Sequence, residues 1–261
     1  METLNSYILD LLAQGKYFFT KQDALTALGI NINQFKYQAY RLTVKKIIKR
    51  ITNDFFMIVS PEYRHIGSLP SHWIINALMK HLDQEYYIGL LSAASLFGAT
   101  EQQPMSFQVI TNKTTRPIHL ARISIEFHTF KYCLLAQKAT ISTPTGYAKI
   151  STKEQTMLDL IRFYEAAGYL SNVALVIKSL AAECNYERFI VALAHEKTKT
   201  VLQRLGYILE TTNFIEPAQL VEKELSNRKT EYAFLRPDFE NKAGKKNIRW
   251  KLILNDSLEI P

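Results

Sequence analysis

The chain has 261 residues, 47% hydrophobic and 11% aromatic, which suits one large domain or two ordinary ones and excludes wholesale disorder. Its 32 Lys and Arg against 24 Asp and Glu give a formal charge of +8, which favours polyanionic partners and is silent about fold. Two isolated cysteines, Cys133 and Cys184, have no CxxC spacing, which argues against a zinc site and fits a reducing cytosol; no apolar run approaches the ~18 residues of a membrane span.

The opening METLNSYILDLLAQGKYF lacks a basic n-region and reads as an amphipathic helix, not a signal peptide, so a soluble cytoplasmic protein is expected. Tyr7, Ile8, Leu11 and Leu12 recur at 3-to-4 spacing and predict a first helix ending near Gly15. In FFTKQDALTALG, Thr20 and Asp23 form a capping pair, Ala24, Leu25 and Leu28 a buried face, and Gly29 a stop. A third helix is expected from about Asn33 to Val44, followed by two strands in KIIKRITNDFFMIVS around a turn at Thr52–Asp54. Three helices and a hairpin in this order predict a winged helix-turn-helix DNA-binding domain over residues 1–65. The stretch SPEYRHIGSLPSHW (60–73), with two prolines and a glycine, marks the boundary.

The remainder, residues 70–261, mixes element types and predicts an α+β domain with strands early and helices late. EYYIGLLSAASLFGA reads as one helix, and SFQVITN, RISIEFHTF and YAKIS as strands. Thr152 with Gln155 resembles a capping box before MLDLIRFYEAAG. LSNVALVIKSLAAEC and YERFIVALAHEKTKTVLQRLG follow as helices, and NIRWKLILN as a final strand.

No GxxxxGK[ST] loop and no GxGxxG after a strand is present. GLLSAAS near residue 90 fails the GxSxG spacing, and Ser92 and Ser95 fall within a helix. The six histidines stand singly, without HExxH. Asp159, flanked by leucines, reads as a buried acid paired with an Arg or Lys. No catalytic residue, metal site or cofactor is expected, and the chain is read as a non-enzyme.

The basic stretch NINQFKYQAYRLTVKKIIKR (31–50) is settled by phase, not by charge count. Phe35, Gln38, Ala39 and Leu42 share one stripe at i, i+3, i+4 and i+7, so Asn33, Lys36, Tyr37, Tyr40 and Arg41 point the other way. No acid occurs from residue 24 to residue 53, whereas a merely solvated helix face usually mixes both signs. Lys and Arg suit phosphates or guanine edges and Asn suits adenine. The DNA-binding residues expected are Asn33, Gln34, Lys36, Tyr37, Tyr40 and Arg41 on the helix, with Lys45, Lys46, Lys49 and Arg50 on the shoulder of the wing. A winged helix serving only protein interaction is the rival reading. The basic stretches 111–122 and 227–251 are read as solvated surface before nucleic-acid contact.

Three stretches carry a family likeness: YYIGLLSAASLFGATEQQPMSFQVIT (86–111), TPTGYAKISTKEQTMLDLIRFYEAAGYLSNVALVIKSL (143–180) and, more weakly, NIRWKLILN (247–255). In the first, a tyrosine pair, a small-residue helix and Gly98-Ala99 occur together. From Tyr86 onward the chain resembles the AbiEi family, the antitoxins of bacterial type IV toxin–antitoxin systems. The resemblance implies a DNA-binding winged helix joined to a C-terminal antitoxin domain. It further implies a repressor that binds inverted repeats in its own promoter and counters an AbiEii-type nucleotidyltransferase toxin without a stable complex. It supplies no catalytic triad. The alternatives are a C-terminal domain acting as an enzyme on the toxin or its RNA target, and a plain transcriptional regulator with no toxin.

Overall fold

Three reciprocal capping boxes start the first three helices. In α1 (Leu4–Ala13) the N-cap is Thr3 with Ser6, in α2 (Lys21–Leu28) Thr20 with Asp23, and in α3 (Ile32–Val44) Asn31 with Gln34. Each N-cap side chain accepts from the amide three residues on, and that residue's side chain accepts from the N-cap amide, so two orphan donors are satisfied at once. Gly29 ends α2 in the left-handed region at φ 61°, its N–H donating to the Leu25 carbonyl, a conformation that costs glycine least. In this computed structural model residues 3–100, 104–120 and 122–258 are described. Residues 101–103 of the first family-like stretch and 121 of the basic stretch 111–122 lie outside them.

The helices are joined by β1 (Phe18–Thr20), β2 (Ile48–Arg50) and β3 (Phe55–Ile58), an antiparallel sheet in the order β1-β3-β2. The β2–β3 hairpin turns where the sequence places it. β1 adds to the expected three helices and hairpin: FFT becomes a strand by pairing Phe18 with Met57 and Thr20 with Phe55. Leu4, Ile8, Phe19, Ala24, Phe35, Leu42, Phe56 and Ile58 form the core that joins helices to sheet.

Chain packing defines two units, Met1–Tyr86 with Met105–Lys131 and Thr140–Lys149, and Tyr87–Pro104 with Tyr132–Ala139 and Ile150–Pro261. Beyond β3 come α4 (Ser71–His81), β4 (Tyr86–Ile88), α5 (Leu90–Leu96), β5 (Phe107–Thr111), β6 (Ile118–Leu120), β7 (Ile123–Thr129), β8 (Lys138–Thr143) and β9 (Gly146–Ser151). The six strands from β4 to β9 make one mixed sheet in the order β6-β7-β5-β4-β9-β8, with β5–β7 and β4–β9 parallel and β6–β7 antiparallel. EYYIGLLSAASLFGA is therefore not one helix: Tyr86, Tyr87 and Ile88 are buried in a strand whose Ile88 pairs with Ile150, and α5 starts only after Gly89.

The second unit is mainly helical: α6 (Lys153–Arg162), α7 (Tyr169–Ala181), α8 (Tyr186–His195), α9 (Lys199–Thr211) and α10 (Ile215–Ser226). The stretch expected as one helix to Gly206 breaks at Glu196, which is extended (φ −70°, ψ 123°) and turns its buried carboxylate to the Thr198 amide at 2.7 Å and to Arg162. Sequence reading missed α10, whose Ala218, Val221 and Leu225 are buried at helical spacing. A small sheet β10-β12-β11, from β10 (Ala233–Phe234), β11 (Lys245–Asn247) and β12 (Leu252–Leu254), closes this unit. NIRWKLILN is not a continuous strand, because Asn247 ends β11 and the chain turns so that Trp250, 1% exposed, enters the core before β12. The architecture among the described residues is mixed α+β, as expected, and no helix in them is long and apolar enough to cross a membrane.

Candidate nucleic-acid interface

Packing fixes the rotation of α3 about its axis. Phe35, Ala39 and Leu42 are buried. The Phe35 ring meets Phe56 edge-on with centroids 5.5 Å apart, and Phe56 stacks on Phe19 at 5.3 Å, so α3 is keyed to β1 and β3 by aromatic contacts worth about 0.5–1.5 kcal/mol each beyond area burial. Gln38, in the same stripe, accepts at its Oε1 from the Leu4 amide at 2.7 Å, so α3 supplies a cap to α1. Asn33, Gln34, Lys36, Tyr37, Tyr40 and Arg41 are all exposed, the two tyrosines to 65% and 71%.

The nominated residues divide by what they already touch. Gln34 spends its side-chain oxygen on the Asn31 amide, so its role includes starting the helix. Lys49 is half-buried with its Nζ donating to the Leu120 carbonyl at 3.2 Å, and burial lowers its pKa. Lys36, Arg41, Lys45, Lys46 and Arg50 are exposed and make no ion pair with a carboxylate among the described residues. The acid nearest in sequence, Asp54, is held by Lys21 at 3.3 Å. The Arg41 guanidinium lies 5.7 Å from the Tyr37 ring centroid, a cation–π geometry that orients it along the exposed face. Lys46 has φ 55° and its N–H closes on the Thr43 carbonyl, the sharp turn from α3 into β2. Beside this face, a cavity of about 370 Å³ is lined by Thr3, Asn5, Gln38, Arg41 and Lys45.

Several ionisable groups of the second unit are buried. Asp159 is fully buried and accepts from Tyr87 Oη at 3.0 Å, from Gln155 Nε2 at 3.0 Å and from Arg162, which also pairs with Glu196. The expectation of a buried acid with a basic partner is met. Burial pushes the Asp159 carboxyl up to about 6, against the opposing pull of Arg162. Two carboxylates sharing one guanidinium leave one of them undercompensated. Thr152 caps α6 by accepting from the Gln155 amide, but the reciprocal half of the box is absent because Gln155 turns to Asp159 and to the Gln137 amide. Burial raises the Cys184 thiol to about 12, so it is not a nucleophilic thiolate at neutral pH. No group of three or more His, Cys, Asp or Glu among the described residues is arranged to hold a metal.

The basic segment 227–251 sorts by residue type. Each of its arginines is committed: Arg228 to Glu224, Arg236 to Asp238 and Asp256, Arg249 to Glu210 and Glu222. Its lysines Lys229, Lys242, Lys245, Lys246 and Lys251 are exposed and make no ion pair among the described residues. This distinction was not visible in the charge pattern.

An α+β chain with an acid-free helix face and a helical C-terminal unit organised about a buried Asp–Arg–Glu triad is thus defined. Residues 87–211 match the AbiEi antitoxin C-terminal domain, and the chain carries that antitoxin domain, as the resemblance implied. Among solved structures, the RV2827C protein from Mycobacterium tuberculosis is similar at 14% identity and a TM-score of 0.66, over 95% of this chain and 89% of that one; this is a likeness of fold. An antigenic nucleotidyltransferase-like protein from Paracoccidioides brasiliensis is 11% identical with a TM-score of 0.35, over 60% of this chain and 89% of that one. No curated protein sequence matches the chain.

Proposed function

We propose that this antitoxin is a DNA-binding autoregulator of a type IV toxin–antitoxin system, with residues 1–65 acting as a winged helix-turn-helix and residues 70–261 as the antitoxin domain. α3 is the recognition helix and the β2–β3 hairpin the wing. The observation that carries this reading is the outward, acid-free face of α3, where Lys36, Tyr37, Tyr40 and Arg41 are exposed while Phe35, Ala39 and Leu42 hold the helix down. The order α1, β1, α2, α3, β2, β3 and the exposed cations Lys45, Lys46 and Arg50 at the hairpin shoulder, which have no carboxylate partner among the described residues, support it. The C-terminal domain counters a nucleotidyltransferase toxin without catalysis of its own.

The test is binding to the DNA upstream of its own reading frame, searched for inverted repeats. Neutralisation of about five phosphates gives a slope of about −4 to −5 in log K against log salt. Lys36→Ala combined with Arg41→Ala weakens this binding at every salt concentration and leaves the fold intact, since neither side chain is buried. No binding, or binding independent of salt, refutes the proposal. Co-expression of the same variant with the toxin from the adjacent reading frame then separates the two roles: neutralisation survives loss of operator binding.

A further inference from the structure

Four lysines from three parts of the second unit meet around one short segment. Lys199, at the start of α9, donates to the Lys229 carbonyl at 2.5 Å. Lys251, just before β12, donates to the Thr230 carbonyl at 3.0 Å. Lys246, on β11, lies 5.2 Å from the centroid of the Tyr232 ring, and Lys229 is itself exposed. Segment 229–232 is therefore flanked by cations on all these sides. None of the four is paired with a carboxylate among the described residues, although the neighbouring arginines all are. An ammonium has three donors, so a carbonyl contact leaves two for another acceptor. Tyr232 is 43% exposed and Ile248, in the turn between β11 and β12, is 80% exposed.

We propose that this surface is a second nucleic-acid site, selective for single strands and separate from the α3 face. Clustered lysines match a phosphodiester backbone, and a half-exposed tyrosine beneath a lysine offers the flat platform on which an unpaired base stacks. A duplex keeps its bases stacked on one another and has none to offer Tyr232. RNA and DNA single strands share this chemistry.

The test uses the full chain and fluorescein-labelled oligonucleotides of mixed sequence about 20 nucleotides long, as RNA, as DNA and as the DNA duplex, followed by anisotropy. Four neutralised phosphates give a slope of about −3 in log K against log salt, or about a fifty-fold loss between 50 and 200 mM salt. Lys229→Ala with Lys246→Ala and Lys251→Ala abolishes most single-strand binding, the triple Lys→Arg variant restores it, and Tyr232→Ala costs about five-fold or more. Lys36→Ala with Arg41→Ala lowers operator-duplex binding by a larger factor than single-strand binding, and the triple Lys→Ala variant does the reverse, which makes failure of this proposal distinguishable from failure of the α3 reading. Preference for RNA over DNA names the RNA as the source and supports the site, as does equal binding of both. Single-strand affinity in the triple Ala variant within two-fold of wild type overturns the proposal, and so does equal competition by the duplex.

Discussion

Gly206 sits inside α9, where helix propensity alone makes alanine the better residue by about 1 kcal/mol. The structure reverses that sign. A Cβ built on Gly206 falls 2.0 Å from Trp250 Cζ3 and 2.4 Å from both Cε3 and Cη2. Carbon atoms rest at about 3.5–4.0 Å, so the indole must retreat by roughly 1.5 Å. It has little freedom to do so: its Nε1 donates to Glu210 Oε2 at 2.6 Å, its backbone N–H to Asn247 Oδ1 at 2.9 Å, and it is 1% exposed. Overpacking costs about 1–3 kcal/mol, and full ejection of a buried tryptophan about 3–5. Gly206→Ala is therefore expected to lose about 2–3 kcal/mol net, read from urea unfolding followed by circular dichroism. The decisive comparison is Gly206→Ala in a Trp250→Ala background. With the ring gone, only propensity remains, and the substitution becomes stabilising by up to about 1 kcal/mol. A neutral or stabilising effect in the wild-type background refutes the packing argument.

The buried triad gives two further expectations. Arg162→Ala leaves Asp159 and Glu196 buried without a shared cation and is expected to cost about 3–5 kcal/mol in urea unfolding, a loss below 1 kcal/mol contradicting the assignment. Asp159 has a folded pKa of about 6 against 3.8 unperturbed, so between these values the folded state holds more protons than the unfolded one and this group makes stability fall as pH rises. Asp159→Asn removes that contribution, up to about 3 kcal/mol across the window, so the variant gains on wild type between pH 4 and pH 6.5; a pH-independent difference argues against it. Thr152→Ala removes the oxygen that accepts from the Gln155 amide at 3.2 Å and lowers the unfolding free energy by about 1 kcal/mol, checked in the same assay.

Local signals in the sequence carried well wherever one element supplies its own cause. The rotation of α3 followed from Phe35, Ala39 and Leu42, and the α2 start from Thr20 and Asp23, because helix period and capping chemistry act within a few residues. The Asn31–Gln34 box was equally readable and would have placed the start of α3 at Ile32. The errors fell where a distant partner decides. FFT and YYI are three-residue strands made by pairing with β3 and β9, and nothing inside them distinguishes a strand from a helix lead-in. The break at Glu196 depends on Arg162, and the turn before β12 depends on the slot that Gly206 leaves for Trp250. Within the candidate interface, charge and phase were legible, but the engagement of Lys49 with Leu120 and the division of 227–251 into ion-paired arginines and exposed lysines required three dimensions.

The bond from the Leu4 amide to Gln38 joins residues 34 apart and ties the first turn of one helix to the middle of another. Neither α1 nor α3 then frays on its own, because opening either one breaks the same donor–acceptor pair. Hydrogen exchange at Leu4 consequently monitors the seating of α3, so a ligand that grips the exposed face of α3 slows deuterium uptake at an amide it never touches.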